Sequence, residues 1–131
     1  MKTDPLRRAA IYVLAAIHVL GILGAPLAAS LHLFQPGATP HQNFHVLWEA
    51  CKYATASLFA LALVLGPLAS GERWALVVLG VGSVVMFGGV FVSDAFTHGG
   101  PVIDFWSYGS FLVLSVVALA IVGARTKRAS S

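Results

Sequence analysis

The sequence predicts an all-α integral membrane protein, a single domain over residues 1–131 with four transmembrane helices in an up-down-up-down bundle. Three observations predict this fold class. Hydrophobic residues make up 58% of the 131 residues and charged residues only 10%, whereas soluble domains carry about 25% charged residues. Four apolar runs each reach the roughly 20 residues that a helix needs to cross a bilayer. The connections between these runs are short, which forces consecutive helices to lie antiparallel.

Each predicted span is a stretch of apolar sequence, and the four cover residues 9–34, 44–69, 73–96 and 103–124. The spans must be helical because lipid cannot hydrogen-bond the exposed backbone of an open structure. The stretch 35–43 contains Pro36 and Pro40 and is predicted to be a helix-breaking loop. Residues 70–72 and 97–101 form the other connections. The first span is too long for a signal-peptide core, so we expect it to be retained.

The basic residues predict the orientation of the protein in the membrane. Loops rich in lysine and arginine face the cytoplasm. Seven of the eight basic residues flank the termini or the second connection: Lys2, Arg7, Arg8, Arg73, Arg125, Lys127 and Arg128. We therefore expect a multi-pass protein of the cell (cytoplasmic or inner) membrane, with both termini in the cytoplasm. The net charge of +3 follows from this asymmetry and does not indicate nucleic-acid binding.

Stripes of small residues predict how the helices pack, because helices in lipid associate where small side chains permit close approach. The first span carries Gly21, Gly24, Ala25 and Ala28; the third carries Gly82, Met86, Gly89 and Ser93; the fourth carries Tyr108, Phe111, Ser115 and Ala118. We interpret these stripes as seams that hold the bundle together. The same stripes are compatible with a homo-oligomer, since small residues serve contacts within and between molecules alike.

Titratable side chains collect on the side of the membrane opposite the termini. His41, His45 and Glu49 are spaced four residues apart, so a helix carries them along one face. Lys52 follows Glu49 by three residues, and a charged pair this far inside a span is expected to face a protein interior or a pocket. The same layer gathers His32, Asp94, His98 and Asp104. Only His18 lies in the middle of the membrane.

A transition-metal site is one function that this polar layer could serve. Imidazole and carboxylate groups bind zinc, iron and copper. The predicted ligands are His41, His45, Glu49 and His98. Haem is not favoured, because no second histidine lies at the depth of His18 to act as a matched axial ligand. A bound transition metal would make this a metal-binding or quinone-linked redox protein.

Binding of an apolar small molecule is the second function that remains open. The predicted pocket is lined by His32, Trp48, Asp94, Asp104 and Tyr108. Within it, His45 and Glu49 are interpreted as a catalytic acid–base pair, with Lys52 as the counter-charge of Glu49. Such a pair can move a proton on a sterol-like or quinone-like substrate. The sequence is compatible both with an enzyme and with a binding protein.

A structural or accessory role is the third function, because histidines and acids also cap helix ends and bind interfacial water. The protein would then assist another membrane protein. The sequence has no P-loop, no dinucleotide fingerprint and no Gly-x-Ser-x-Gly motif, which argues against nucleotide-driven and serine-hydrolase chemistry. The predicted partners are the lipid bilayer, an apolar small molecule or a membrane protein, and not a nucleic acid.

The segment His41-Gln-Asn-Phe-His45-Val-Leu-Trp-Glu49 resembles small four-span bacterial membrane proteins of the DoxX-like type. The resemblance covers the four-span layout and the loop that runs into this segment. It implies a cytoplasmic-membrane protein with redox or quinone partners, and it supplies no catalytic residues. His45 and Glu49 are also similar to the His/Glu pairing of the emopamil-binding sterol isomerases, which implies proton transfer on a sterol-like substrate. The rest of that family's pattern is not matched.

Overall fold

Four α-helices make up the described part of the chain in a computed structural model, which describes residues 4–97 and 102–128. At positions 90, 93, 94, 96, 97, 102–105, 127 and 128 it describes only the backbone and not the side chains. The helices are α1 (Pro5–His32), α2 (Pro40–Leu63), α3 (Arg73–Thr97) and α4 (Val102–Arg128). No strand occurs within these described ranges, so the all-α class is confirmed.

The first two helices begin four residues earlier than the apolar runs, because polar caps start them. The Asp4 carboxylate accepts hydrogen bonds from the backbone N–H groups of Leu6 and Arg7. Thr39 caps α2 through its hydroxyl, and the Gln42 side chain accepts the Thr39 N–H in return. The prediction that Pro40 breaks the helix is wrong. Pro40 is the first residue of α2, where a missing N–H costs no hydrogen bond.

A π-helical turn, Val64–Leu68, continues α2 and contains Pro67. A proline ring clashes with the preceding helical turn and removes one hydrogen-bond donor, and the wider π-helical turn accommodates both effects. The chain then reverses at Gly71, whose φ of 94° favours glycine, and α3 begins at Arg73. The predicted tight connection at 70–72 is confirmed.

Polar contacts tie three helix termini together at one end of the bundle, which we call the terminal end. Arg7 of α1 donates two hydrogen bonds to the backbone carbonyls of Leu68 and Ala69, at 2.9 and 3.0 Å. Asp4 forms an ion pair with Arg125 of α4 at 3.4 Å. The opposite end of the bundle, where α1 ends and α2 begins, is called the far end.

The apolar core lies in the half of the bundle next to the terminal end. Its buried residues are Ala10, Ile11, Leu14, Val64, Leu68, Ala75, Leu79, Ala118, Leu119 and Val122. The predicted seam of α3 is wrong at Gly82 and Gly89, which are exposed, whereas Met86 is half-buried and the side chain of Ser93 lies outside the described residues. The buried face carries Ala75, Leu79, Ser83 and Phe87. In α4, Ser115 and Ala118 of the predicted stripe are buried.

Contacts between helices are unequal, which leaves one side of the bundle loosely closed. Helix α1 packs against α2 and α4, and α3 packs mainly against α4. Among the α-helix pairs that touch within the described residues, α2 and α3 make the sparsest contact, and we call this boundary the α2–α3 seam. Both cavities described below adjoin this seam.

The outer surface of the helices is apolar, as expected of a membrane protein. Three helical segments are long and apolar enough to cross a bilayer: Pro5–His32, Pro40–Leu68 and Trp106–Thr126. In α3 the apolar segment found within the described residues is shorter, Arg73–Gly89. Large side chains such as Leu23 and Val77 are exposed on the outside, where lipid would satisfy them.

Replacement of Arg7 by methionine should lower the free energy of unfolding by about 2 kcal/mol, because charged hydrogen bonds to two carbonyls are lost. Arg8→Met is the matched control, since it removes the same charge from an exposed side chain that contacts Tyr12 of its own helix. We expect a change below about 0.5 kcal/mol for that variant. Unfolding in mixed micelles with increasing dodecyl sulfate measures both, and equal losses would contradict the assignment.

Candidate functional site

A cavity of about 660 Å³ occupies the far half of the bundle, and we call it the mouth cavity. All four helices contribute to its wall. The lining residues are Ile17, Leu20, Gly21, Gly24, Ala25, Ala28, Ala29, His32, His45, Val46, Glu49, Ala50, Tyr53, Met86, Phe87, Ser107, Tyr108 and Phe111. A volume of this size falls within the range of small-molecule sites, which are usually apolar with a few polar groups.

The small residues of α1 create the space for this cavity. Gly24, Ala25 and Ala28 line the mouth cavity, and a Cβ atom placed on Gly24 would meet no heavy atom within 4 Å. Gly21 behaves differently: a Cβ atom there would overlap the Ser57 hydroxyl and lie 3.1 Å from the Ser57 Cβ atom. In the α1 stripe, Gly21 therefore permits the close approach of α1 and α2, whereas Gly24, Ala25 and Ala28 leave the space of the cavity open.

The polar stripe of α2 is present as predicted, but its members form two separate pairs. The Nε2 atoms of His41 and His45 lie 3.1 Å apart, and their rings meet edge to face. Lys52 donates a hydrogen bond to Glu49 and forms the predicted ion pair. The acid–base pairing of His45 with Glu49 stays a prediction, since each of these side chains contacts another partner.

The structure brings four predicted site residues to the wall of the mouth cavity: His32, His45, Glu49 and Tyr108. Trp48 is not part of this wall. Its indole ring is 53% exposed and stacks on Phe44 with ring centroids 6.3 Å apart, so it faces away from the cavity. The side chains of Asp94 and Asp104, and the whole of His98, lie outside the described residues.

The predicted metal ligands are only partly brought together. His41 and His45 are adjacent, but no group of three histidine, cysteine or acidic side chains able to hold a metal converges within residues 4–97 and 102–128. The remaining predicted ligand, His98, is not among the described residues. The metal site therefore stays a prediction.

A second cavity of about 470 Å³ adjoins the first and is called the inner cavity. Glu49, Tyr53 and Met86 belong to both walls, so these side chains form the boundary between the two. The other lining residues are His18, Lys52, Ala56, Phe59, Ala60, Leu63, Val78, Leu79, Gly82, Ser83 and Val85. Most of them come from α2 and α3, so the inner cavity follows the α2–α3 seam.

Sequence reasoning missed Tyr53, which lies at the boundary of both cavities with its ring 6.0 Å from that of Tyr108. A signal for it exists in the sequence. Tyr53 continues the four-residue spacing of His45 and Glu49 along the same face of α2. Met86 and Phe87 carry no such signal, because apolar side chains on a membrane helix look alike whether they face lipid or a cavity.

Comparisons with known proteins add no relative to this description. No family model matches the chain, and neither a curated protein nor a solved structure is found to match it. The DoxX-like resemblance therefore stays a prediction. The two cavities are the features of the structure that bear on function.

Proposed function

We propose that this protein binds an apolar small molecule of the bilayer in the mouth cavity. One observation carries the proposal: a cavity of about 660 Å³ with mainly apolar walls reaches the polar side chains of His45 and Glu49. Such a site suits a ligand whose apolar body lies against α1 and whose polar group lies beside α2. Apolar contact supplies affinity, and the few polar groups fix the orientation.

Charge balance at the polar side favours a ligand head that is neutral. Glu49 and Lys52 neutralise each other, so neither an anionic nor a cationic head would find an unpaired counter-charge at this pair. Desolvating a charged head without such a partner is costly. The other polar groups on the described wall, such as His32, His45 and Tyr108, are able to hydrogen-bond a neutral carbonyl or hydroxyl group. Sterol-like and quinone-like molecules both meet this description.

The proposed setting is a bilayer crossed by all four helices, with both termini in the cytoplasm. The arginines of the terminal end, Arg7, Arg8, Arg73 and Arg125, support this orientation through the positive-inside rule. The mouth cavity would then lie in the outer half of the membrane. The sparse α2–α3 seam gives a ligand a lateral route from the lipid.

Filling the mouth cavity should abolish ligand binding without unfolding the protein. Gly24→Leu places a side chain where a Cβ atom meets nothing within 4 Å, in the wall of the cavity. We expect neutral sterol and quinone analogues at 100-fold over the dissociation constant to stabilise the wild type by about 2.7 kcal/mol, and this variant hardly at all. Thermal unfolding in mild detergent measures the effect.

Gly80→Leu provides the matched control for this substitution. Gly80 is also a helical glycine with nothing within 4 Å of a Cβ atom, but it lines neither cavity. This variant should respond to ligand as the wild type does. The proposal is wrong if no neutral apolar ligand stabilises the wild type, or if Gly24→Leu and Gly80→Leu respond equally.

A further inference from the structure

His18 is buried without the hydrogen bonds that its side chain requires. His18 lies halfway along α1 and is only 2% exposed. Neither ring nitrogen has a hydrogen-bond partner within the described residues. A neutral imidazole has one donor and one acceptor. Buried polar atoms are nearly always satisfied in folded proteins, so such a group indicates a partner outside the described residues.

The place for that partner is the inner cavity, because His18 forms part of its wall. The Phe87 ring stacks beside the imidazole, with ring centroids 6.5 Å apart and ring planes at 24°. His18 is the member of the wall that α1 contributes, opposite the side chains of α2 and α3. Both ring nitrogens are covered by neighbouring atoms, so the imidazole must turn towards the cavity for a polar group there to reach them.

Water alone is a poor occupant for a space of this size and lining. At about 30 Å³ for each molecule, the cavity would take on the order of 15 waters, each of which needs two to four polar partners. Besides His18, the polar side chains of this wall are those of Glu49, Lys52, Tyr53 and Ser83, which are too few for so many waters. The remaining wall is largely apolar, with Phe59, Leu63 and Val78 among its residues. An occupant that is mainly apolar satisfies both the wall and His18.

We propose that the inner cavity is a second binding site, for a compact neutral molecule whose hydroxyl or carbonyl group hydrogen-bonds to His18 midway along the bundle. A carbonyl group would accept from the protonated ring nitrogen, and a hydroxyl group would donate to the other. Phospholipids do not fit, because their head groups stay at the membrane surface. The exposed side chains of Phe59, Val78 and Val85 place the entrance at the α2–α3 seam, open to lipid.

The test compares 4-propylphenol with propylbenzene, two probes of similar shape that differ by one hydroxyl group. Binding is measured by thermal unfolding of the full-length protein in mild detergent. We expect 4-propylphenol to bind the wild type about tenfold more tightly than propylbenzene, as one additional hydrogen bond would give. In His18→Leu this preference should disappear, while propylbenzene binds as before.

The His18→Leu variant is expected to fold, because leucine has a similar volume and removes two unpaired polar atoms. A second measurement follows the wild-type protein and uses His18→Leu only to assign resonances. The ring nitrogen resonances of His18, assigned by their loss in His18→Leu, should move in the wild-type protein with 4-propylphenol and not with propylbenzene. Equal affinity of the two probes for the wild type, or an unchanged preference in His18→Leu, would overturn the proposal.

The Gly24→Leu variant separates this site from the mouth cavity. Gly24 does not line the inner cavity, so this variant should keep the preference for 4-propylphenol. If Gly24→Leu loses the preference for 4-propylphenol and His18→Leu keeps it, the probe binds in the mouth cavity and the inner site is contradicted. Each cavity can thus fail its test independently of the other.

Discussion

Replacement of Gly21 by leucine is expected to lower the free energy of unfolding by about 3 kcal/mol, at the upper end of the usual cost of overpacking. Even a single Cβ atom at this position would overlap the hydroxyl of Ser57, whose residue is fully buried. The helices α1 and α2 approach each other here, so the new side chain forces the Ser57 hydroxyl to turn and the two helices to move apart. Close helix contact is the main source of association in a bilayer.

Gly24→Leu is the control for this prediction, because it lies one turn further along α1 and faces open space. It should cost little or nothing, since leucine favours a helix more than glycine does. Substituting Ser57 with glycine should recover part of the loss in a smaller variant, Gly21→Ala, by removing the atoms it meets. Unfolding by dodecyl sulfate in mixed micelles measures Gly21→Leu, Gly24→Leu, Gly21→Ala and Gly21→Ala/Ser57→Gly. Equal costs for leucine at positions 21 and 24 would exclude the close contact.

The second large effect is expected at the ion pair of Glu49 and Lys52. Lys52→Met alone should destabilise the protein by about 3 kcal/mol, because a carboxylate within a membrane helix then lacks its partner. Glu49 must stay charged beside lipid or take up a proton, and both are costly. The double variant Lys52→Met/Glu49→Leu should recover most of the stability, since no charge then remains.

This pair also tests whether α2 lies in a membrane. The two side chains are 50% and 52% exposed on the isolated chain, and a pair that exposed in water contributes below about 1 kcal/mol. The large single-variant cost is therefore expected only if lipid or a dry cavity surrounds the pair. A double-mutant cycle in bicelles gives the coupling energy, and a value near zero would contradict a membrane position for these residues.

Hydropathy was enough to predict the helices, but polar and small residues decided the details. The starts of α1 and α2 depend on Asp4 and Thr39, which lie outside the apolar pattern and act by capping the backbone. The face of α3 was mistaken because Gly82 lines a cavity instead of a helix contact. A small residue permits close approach but does not require it, so the sequence cannot distinguish a seam from an open wall.

The candidate site could be predicted only where its members share one helix. The spacing of His45 and Glu49 placed both on one face of α2, and both line the mouth cavity. The opposite wall depends on how α3 is rotated about its axis, which local sequence does not determine. The sequence places His18 at mid-membrane depth, but whether its ring nitrogens have partners depends on the surrounding helices.

The ties at the terminal end have a mechanical consequence for the two cavities. Arg7 and Asp4 fix the ends of α1, α2 and α4 there, whereas few contacts hold α2 to α3 along their length. The segment Pro40–Leu68 is 29 residues long, or about 43 Å at 1.5 Å for each residue. Such a segment, moving together with α1 against which it packs closely at Gly21 and Ser57, is a lever with its pivot at the terminal end. A tilt of only about 5° would displace its start, and His41 with it, by about 4 Å. The core next to the pivot would hardly move, so the entrance can widen by the width of an acyl chain while the packed half of the protein stays intact.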